Sequence, residues 1–207
     1  PEFEVASGEA VALTGPSGCG KSTLLNLIAG LRRTKFGQVK VAGVDLASLS
    51  LSELDRHRGV HFGMIFQTFH LLAPFTAVEN VSIGLRFGSR KRFNPLQRAT
   101  EVLHRVGLGE RMHARPAELS VGEQQRIAIA RAIVGGPSIL LADEPTGSLD
   151  PETGREVFDL LLEVAAEDNR TLLMVTHDSD LAARMPRIFN CSELIRSTDL
   201  SRRKDDS

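Results

Sequence analysis

The stretch GPSGCGKST, residues 15–23, holds the residue types needed to grip a chain of phosphates. Its spacing is G-x-x-x-x-G-K-[ST], and it lies between a short apolar run and a segment of helical spacing, the context such a loop requires. Gly15, Gly18 and Gly20 permit backbone angles that turn several N–H groups toward one point. Pro16, Ser17 and Cys19 fill the places between them, and the helix behind adds its positive end. Lys21 supplies a point charge for the β- and γ-phosphates, the Ser22 hydroxyl can ligate Mg2+, and Thr23 completes the set. Cys19 reads as a small filler or, among those N–H groups, as a thiol that oxidises readily.

A second group of polar residues closes apolar runs. ILLADEP, residues 139–145, ends in Asp143 and Glu144. Neighbouring residues of a strand point to opposite sides, so the two carboxylates have different jobs. Asp143 suits a Mg2+ role, and Glu144 suits a general base that polarises an attacking water. Pro145 is expected to keep Glu144 extended. Gln67 ends GMIFQ, where it can touch both the metal and the water, and His177 ends TLLMVTH, within reach of a γ-phosphate. A third stretch, LSVGEQQR at 119–126, opens like a helix: Ser120 and Glu123 form a capping box. The box accounts for neither Gly122, which costs helix stability relative to Ala, nor the donor-rich run after it.

Elements that place these groups alternate along the chain. AVALT (10–14), QVKVAGVDL (38–46, with a turn at Gly43), GMIFQ (63–67), SILLADE (138–144) and TLLMVTH (171–177) read as strands. Helical spacing follows in KSTLLNLIAGL (21–31), in EQQRIAIARAIV and after Pro151, with Asp150 as its cap. Near-continuous apolar strands alternating with helices predict an α/β fold with a mainly parallel sheet covered by helices on both faces. Residues 1–67 form the first part of the core, 68–118 an inserted helical subdomain, 119–190 the second part of the core, and 191–207 a polar tail expected to be disordered. The basic patch SRKRF (89–93) reads as a solvated loop.

The 207 residues are 42% hydrophobic and 25% charged, with a formal net charge of −1. That balance sets up no field for a nucleic-acid partner or an anionic membrane. The opening PEFEVASGEA does not read as a signal peptide, and no apolar run in these residues approaches the length of a spanning helix. Two cysteines, Cys19 and Cys191, make no disulfide framework and point to a reducing cytosol.

Taken in order, GPSGCGKST, Gln67, LSVGEQQR, ILLADEP, SLD (148–150) and His177 resemble the nucleotide-binding domain of an ATP-binding-cassette (ABC) transporter, over most of the chain. The resemblance implies a P-loop NTPase that binds ATP with Mg2+, hydrolyses it, and dimerises head to tail with a second such domain. Each ATP would then lie on the P-loop of one copy and beneath Ser120, Val121, Gly122 and Glu123 of the other. Ser120 and the Gly122 N–H would face the γ-phosphate, and Asp150 would be a dimer contact. The family pattern has Gly at Val121 and Gln at Glu123. FHLLAPFTAVENV, ADEPTGSLD and LLMVTHD resemble the bacterial lipoprotein-release and macrolide-export subgroup. The implied partner is a transmembrane permease, which would hold the chain on the cytoplasmic face of the membrane and receive power for export or extraction. Residues 68–81 would be its docking groove, with subdomain core as the alternative for Leu71 and Leu72.

The chain departs from that pattern at both ends. It reads as truncated at the N-terminus, without the adenine-stacking aromatic, since it has no Tyr or Trp and Phe3 fits core packing. After Pro186 the strand persists but an Asp-Gly turn does not, so weakened ATP affinity is expected. Alternatives are a truncated or inactive cassette and a non-transport ABC ATPase. A DNA-repair type would need sustained heptads between Gln67 and Leu119, which are absent, and a ribosome-acting type two cassettes in one chain.

Overall fold

A computed structural model describes residues 2–34, 36–87 and 94–194. Five strands form one sheet: β1 Ala10–Thr14, β4 Phe62–Phe66, β5 Ile139–Asp143, β6 Thr171–Val175 and β7 Arg187–Asn190, in the order β4-β5-β6-β1-β7. Every pairing in it is parallel, with Met64 opposite Leu141, Leu141 opposite Leu173, and Ala12 opposite both Met174 and Ile188. The strand expected over 38–46 is instead a hairpin of β2 Lys40–Val41 and β3 Val44–Asp45. Ala42 and Gly43 turn it, both with positive φ, the signature of a tight turn that suits twisted strands.

Period-two alternation along the strands builds two cores, one on each face of the sheet. Ala12, Ile65, Leu140, Ala142, Leu172 and Met174 face one cluster, whereas Val11, Leu13, Leu141, Leu173 and Val175 face the other. Helices α5 Val121–Ile133 and α6 Pro151–Glu167 cover the first face with Ile127, Ile129, Ile133, Val157, Phe158 and Leu161. Helix α1 Lys21–Ile28 and α2 Leu51–His61 cover the second through Leu25 and Leu54. Each fully buried large side chain contributes roughly 2 kcal/mol.

Between β4 and α5 lie α3 Ala77–Ile83 and α4 Pro95–Arg105. Val78, Val81, Val102 and Leu103 join the first cluster, so this helical stretch shares its core with the sheet. A short α7, Ser179–Ala183, precedes β7. The basic patch at 89–93 lies outside the described residues, as do 195–207. Cys191, assigned above to the polar tail, belongs to the second core: it is buried, and its N–H donates to the Thr14 carbonyl at 2.9 Å. Phe3 packs on Phe189 with ring centroids 4.4 Å apart.

Candidate functional site

Parallel strands deliver all their carboxyl ends to one edge, where ligands of open α/β sheets bind. Here β1 leads into the glycine loop, and β4, β5 and β6 lead into Gln67, into Asp143 with Glu144, and into His177. Gly18 and Gly20 take φ of +79° and +93°, which L side chains rarely adopt. Gly20 is also the N-cap of α1, and no side chain caps that helix. The Lys21 ammonium is buried and donates to the carbonyls of Gly15 (2.8 Å) and Pro16 (3.1 Å), so the charge is held inside the loop.

The Ser22 hydroxyl donates to Asp143 Oδ1 at 3.2 Å, which joins the start of α1 to the end of β5. A hydroxyl and a carboxylate so placed fit Mg2+, a hard cation that takes one or two protein oxygens and completes its shell from phosphates and water. Among the described residues no group of three or more His, Cys, Asp or Glu could hold a metal by itself. A hydroxyl and a single carboxylate suit a cation that takes the rest of its shell from a phosphorylated ligand.

Glu144 is not extended, contrary to the expectation from Pro145: its φ is +50°, in the left-handed region. Its N–H donates to the Val175 carbonyl (3.0 Å) and its own carbonyl accepts from Gly147 N–H (3.1 Å). Those two bonds hold a conformation that costs of order 1–3 kcal/mol for a non-glycine residue. The Glu144 carboxylate lies against His177. The His177 N–H donates to Oε2 at 3.3 Å. The His177 Nε2 stands 3.0 Å from Oε1, yet that buried oxygen makes no aligned hydrogen bond, so the ring is adjacent rather than clamped. The Gln67 amide lies beside Gly147, and its backbone carbonyl accepts from the Ser148 hydroxyl at 3.4 Å.

At the head of α5 the capping box is complete: Glu123 N–H donates to Ser120 Oγ (3.2 Å), and Ser120 N–H donates to Glu123 Oε2 (2.8 Å). That backbone donor, with lesser help from the Ser120 hydroxyl and Arg111, holds the Glu123 carboxyl below the usual carboxylate range against the opposing effect of burial. Gly122 has a packing reason as well. It is buried against α6, and a Cβ there would meet Thr153 Cγ2 at 2.5 Å. Val121 is 47% exposed. Asp150 caps α6, accepting from the N–H groups of Glu152 (3.1 Å) and Thr153 (3.0 Å). Among the described residues no hydrogen bond or ion pair links 120–123 to the loop at 15–23.

Two positioning residues carry no motif that sequence reasoning could use. Arg131 of α5 donates to the carbonyls of Phe69 and His70, each at 2.6 Å, and so ties the segment after Gln67 to that helix. Asn80 of α3 is buried; its Oδ1 accepts from Leu72 N–H (2.8 Å) while its Nδ2 donates to the carbonyls of Leu72, Phe75 and Thr76. Only an unexplained buried amide inside an apolar helix hints at the second. The turn it organises leaves Leu72 43% and Phe75 41% exposed, while Leu71 packs on the core.

Comparison with known proteins places this edge in a family. Residues 1–147 match the family described as ABC transporter. The chain is 45% identical over 192 residues to the lipoprotein-releasing system ATP-binding protein LolD of Pseudomonas fluorescens, covering 93% of this chain and 85% of that protein. It is 45% identical over 189 residues to the macrolide export ATP-binding/permease protein MacB of Bartonella henselae, covering 91% of this chain and 28% of that longer protein. Among solved structures, a dimeric post-hydrolysis state of the ATP-binding cassette MJ0796 bound to ADP and Pi superposes with a TM-score of 0.82 at 38% identity, over 91% of this chain and 83% of that one. A match across 147 residues, together with relatives at this identity over nearly the whole chain, settles the family: the chain belongs to the ABC transporter family, as an ATP-binding, ATP-hydrolysing cassette.

Proposed function

We propose that this cassette binds ATP with Mg2+ at the strand-end edge and powers a membrane permease that exports or extracts its substrate. The pairing of Ser22 with Asp143 on one side, and of Glu144 with His177 on the other, carries the reading. Loop N–H groups from 15–20 and the first turn of α1 hold the phosphates. Lys21 then exchanges the Gly15 and Pro16 carbonyls for phosphate oxygens, and Thr23 closes the set. Ser22, Asp143 and Gln67 would hold the Mg2+, which supplies neutralisation of charge developing between the β- and γ-phosphates. Glu144 accepts the proton of the attacking water through its carboxylate, which the left-handed turn holds beside His177. His177 reaches the γ-phosphate while its own N–H keeps Glu144 in place.

A second copy completes the site: its Ser120, Val121, Gly122 and Glu123 face the γ-phosphate, and Asp150 contacts the partner. The solved dimer of the related cassette supports that assembly. No helix among the described residues is long and apolar enough to cross a membrane. The permease anchors the chain at the cytoplasmic face by docking on residues 68–81, where Leu72 and Phe75 are exposed. Relatives whose names describe lipoprotein release and macrolide export support the outward direction.

The test is ATP hydrolysis with Mg2+ by this chain against its Glu144→Gln variant, with dimerisation followed by light scattering. Turnover is expected to fall by about 100-fold or more, and an ATP-stabilised dimer to accumulate. Equal turnover in both proteins would overturn Glu144 as the base.

A further inference from the structure

The two cysteines of the chain, far apart in sequence, converge on the root of the phosphate-binding loop. Cys19 lies between Gly18 and Gly20, both of positive φ, and its side chain folds back over Gly15. A Cβ on Gly15 would meet Cys19 Sγ at 2.8 Å, Asn190 Oδ1 at 3.2 Å and the Cys191 backbone nitrogen at 3.7 Å, so both cysteines border the same glycine. Cys191 is fixed there by its hydrogen bond to Thr14, the residue just before Gly15. Both side chains belong to the same apolar cluster, Cys191 buried within it and Cys19 half-buried at its rim. We propose that Cys19 and Cys191 form a reversible disulfide that ties the phosphate-binding loop to the end of β7 and shuts off nucleotide binding, with hydrogen peroxide as the oxidant.

The order of events follows from access. Cys19 is the thiol that a small oxidant can reach, and the Lys21 ammonium lies 3.9 Å from its sulfur. Burial, reinforced by Cys19 and only partly offset by Lys21, pushes the Cys191 thiol up, so it waits as the protonated partner. The Cys19 sulfur attacks one peroxide oxygen, the O–O bond breaks, and one water leaves after proton transfer, giving the Cys19 sulfenic acid. The Cys191 sulfur then attacks that sulfur, the S–O bond breaks, the Cys191 proton goes to the departing oxygen, and a second water leaves. The two sulfurs together lose two electrons and the peroxide gains them; a dithiol reverses the bond.

Disulfide geometry demands that the two Cα atoms come within about 4.4–6.8 Å. Meeting it draws Cys19 toward β7 and fixes the stretch whose N–H groups, with Lys21, must regroup around phosphates. Loss of nucleotide binding is thus the expected consequence, and that half of the inference rests on the nucleotide-binding reading above. The bond itself does not.

The test treats the full chain and its Cys191→Ala variant with graded hydrogen peroxide. Both are then digested without reductant for mass mapping and titrated with a fluorescent ATP analogue. Reduced wild type and Cys191→Ala are expected to bind the analogue alike, because Cys191 lies outside the nucleotide-binding set. Oxidised wild type is expected to give a peptide linking Cys19 to Cys191 within one copy, to lose affinity by more than about tenfold, and to recover with dithiothreitol. Cys191→Ala should give no linked peptide and keep its affinity at the peroxide dose that disables the wild type. Absence of the linked peptide, a Cys19–Cys19 link between copies, or equal reversible loss in Cys191→Ala would each overturn the proposal. Should the reduced chain fail to bind the analogue, the nucleotide reading fails and the linked peptide still decides the bond.

Discussion

The N-termini of α1 and α5 begin with the same problem and solve it oppositely. Every helix starts with backbone N–H groups that lack partners and with a partial positive charge. In α5 the chain answers for itself: Ser120 Oγ accepts from the Glu123 N–H, the Glu123 carboxylate accepts from the Ser120 N–H, and Arg111 stands 3.2 Å from that carboxylate. In α1 the N-cap is Gly20, no side chain caps it, and its first turn holds no acid. Among the described α-helices, α1 alone lacks a side-chain cap; α2, α3, α4, α6 and α7 use Ser50, Thr76, Asn94, Asp150 and Asp178. A helix start left open beyond a buried strand leaves its N–H groups and its positive end available to an external anion. A helix start closed by its own carboxylate has folding as its first duty, and any role toward a partner's phosphate comes on top of it.

The largest effect should come from giving α1 what α5 has. Thr23 is exposed and occupies the position in α1 that Glu123 occupies in α5. Thr23→Glu would place a carboxylate over the open N–H groups. Nucleotide affinity is expected to fall by about 30-fold or more, roughly 2 kcal/mol, with no loss of melting temperature. A fluorescent nucleotide titration beside a thermal melt checks both halves. Unchanged affinity would mean that the open start of α1 is not what holds the phosphates.

This contrast was legible in the sequence on one side and hidden on the other. The glycine spacing declares the α1 start, because a loop of that kind is written in consecutive residues. The strands of the sheet were equally plain, since buried parallel strands are continuous apolar runs, and AVALT is β1 to the residue. Helix α2 left no such trace: of LSELDRHRGVH only Leu54 is buried, so there is no apolar stripe to read. Glu144 misled because the rule for a residue before proline is local, whereas its turn is set by a bond to Val175 on a neighbouring strand. Gly122 was hidden for the same reason, since the atom that forbids a larger residue lies on α6.

Gly122 therefore gives the next test. Gly122→Ala adds a methyl group 2.5 Å from Thr153 Cγ2, and is expected to destabilise the chain by about 1–3 kcal/mol in urea unfolding. Combining it with Thr153→Ser, which removes that carbon, should restore most of the loss. A double variant no more stable than Gly122→Ala alone would show that the glycine serves something other than the α5–α6 contact.

Acid separates the two helix starts more gently. The carboxyls of Glu53, Glu79, Glu123 and Asp150 are all held below their ordinary values by the hydrogen bonds of their caps. A carboxyl lowered in the folded state takes up protons more readily when unfolded. Its stabilisation is thus complete above the ordinary value of 4.5 for Glu or 3.8 for Asp, and is lost as pH falls through the folded one. Melting temperature should decline on acidification below that range. Amide exchange should report α2, α3, α5 and α6 loosening before α1, whose start carries no titrating cap. Uniform loosening of all five would remove the distinction.

The smallest effect bears on the second duty of α5. If its N-terminus also faces a phosphate on a partner copy, the Glu123 carboxylate opposes that anion even while it caps the helix. Glutamine keeps the capping geometry, because its side-chain oxygen can still accept from Ser120 N–H, and it removes the charge. Glu123→Gln, made in the Glu144→Gln background to prevent turnover, is therefore expected to lower the ATP concentration for half-maximal dimerisation by about two- to fivefold, roughly 0.5–1 kcal/mol. Light scattering against ATP concentration reads it directly, and added salt should shrink the difference. A variant that needs more ATP to dimerise would mean that the cap, and not the partner's phosphate, governs this helix start.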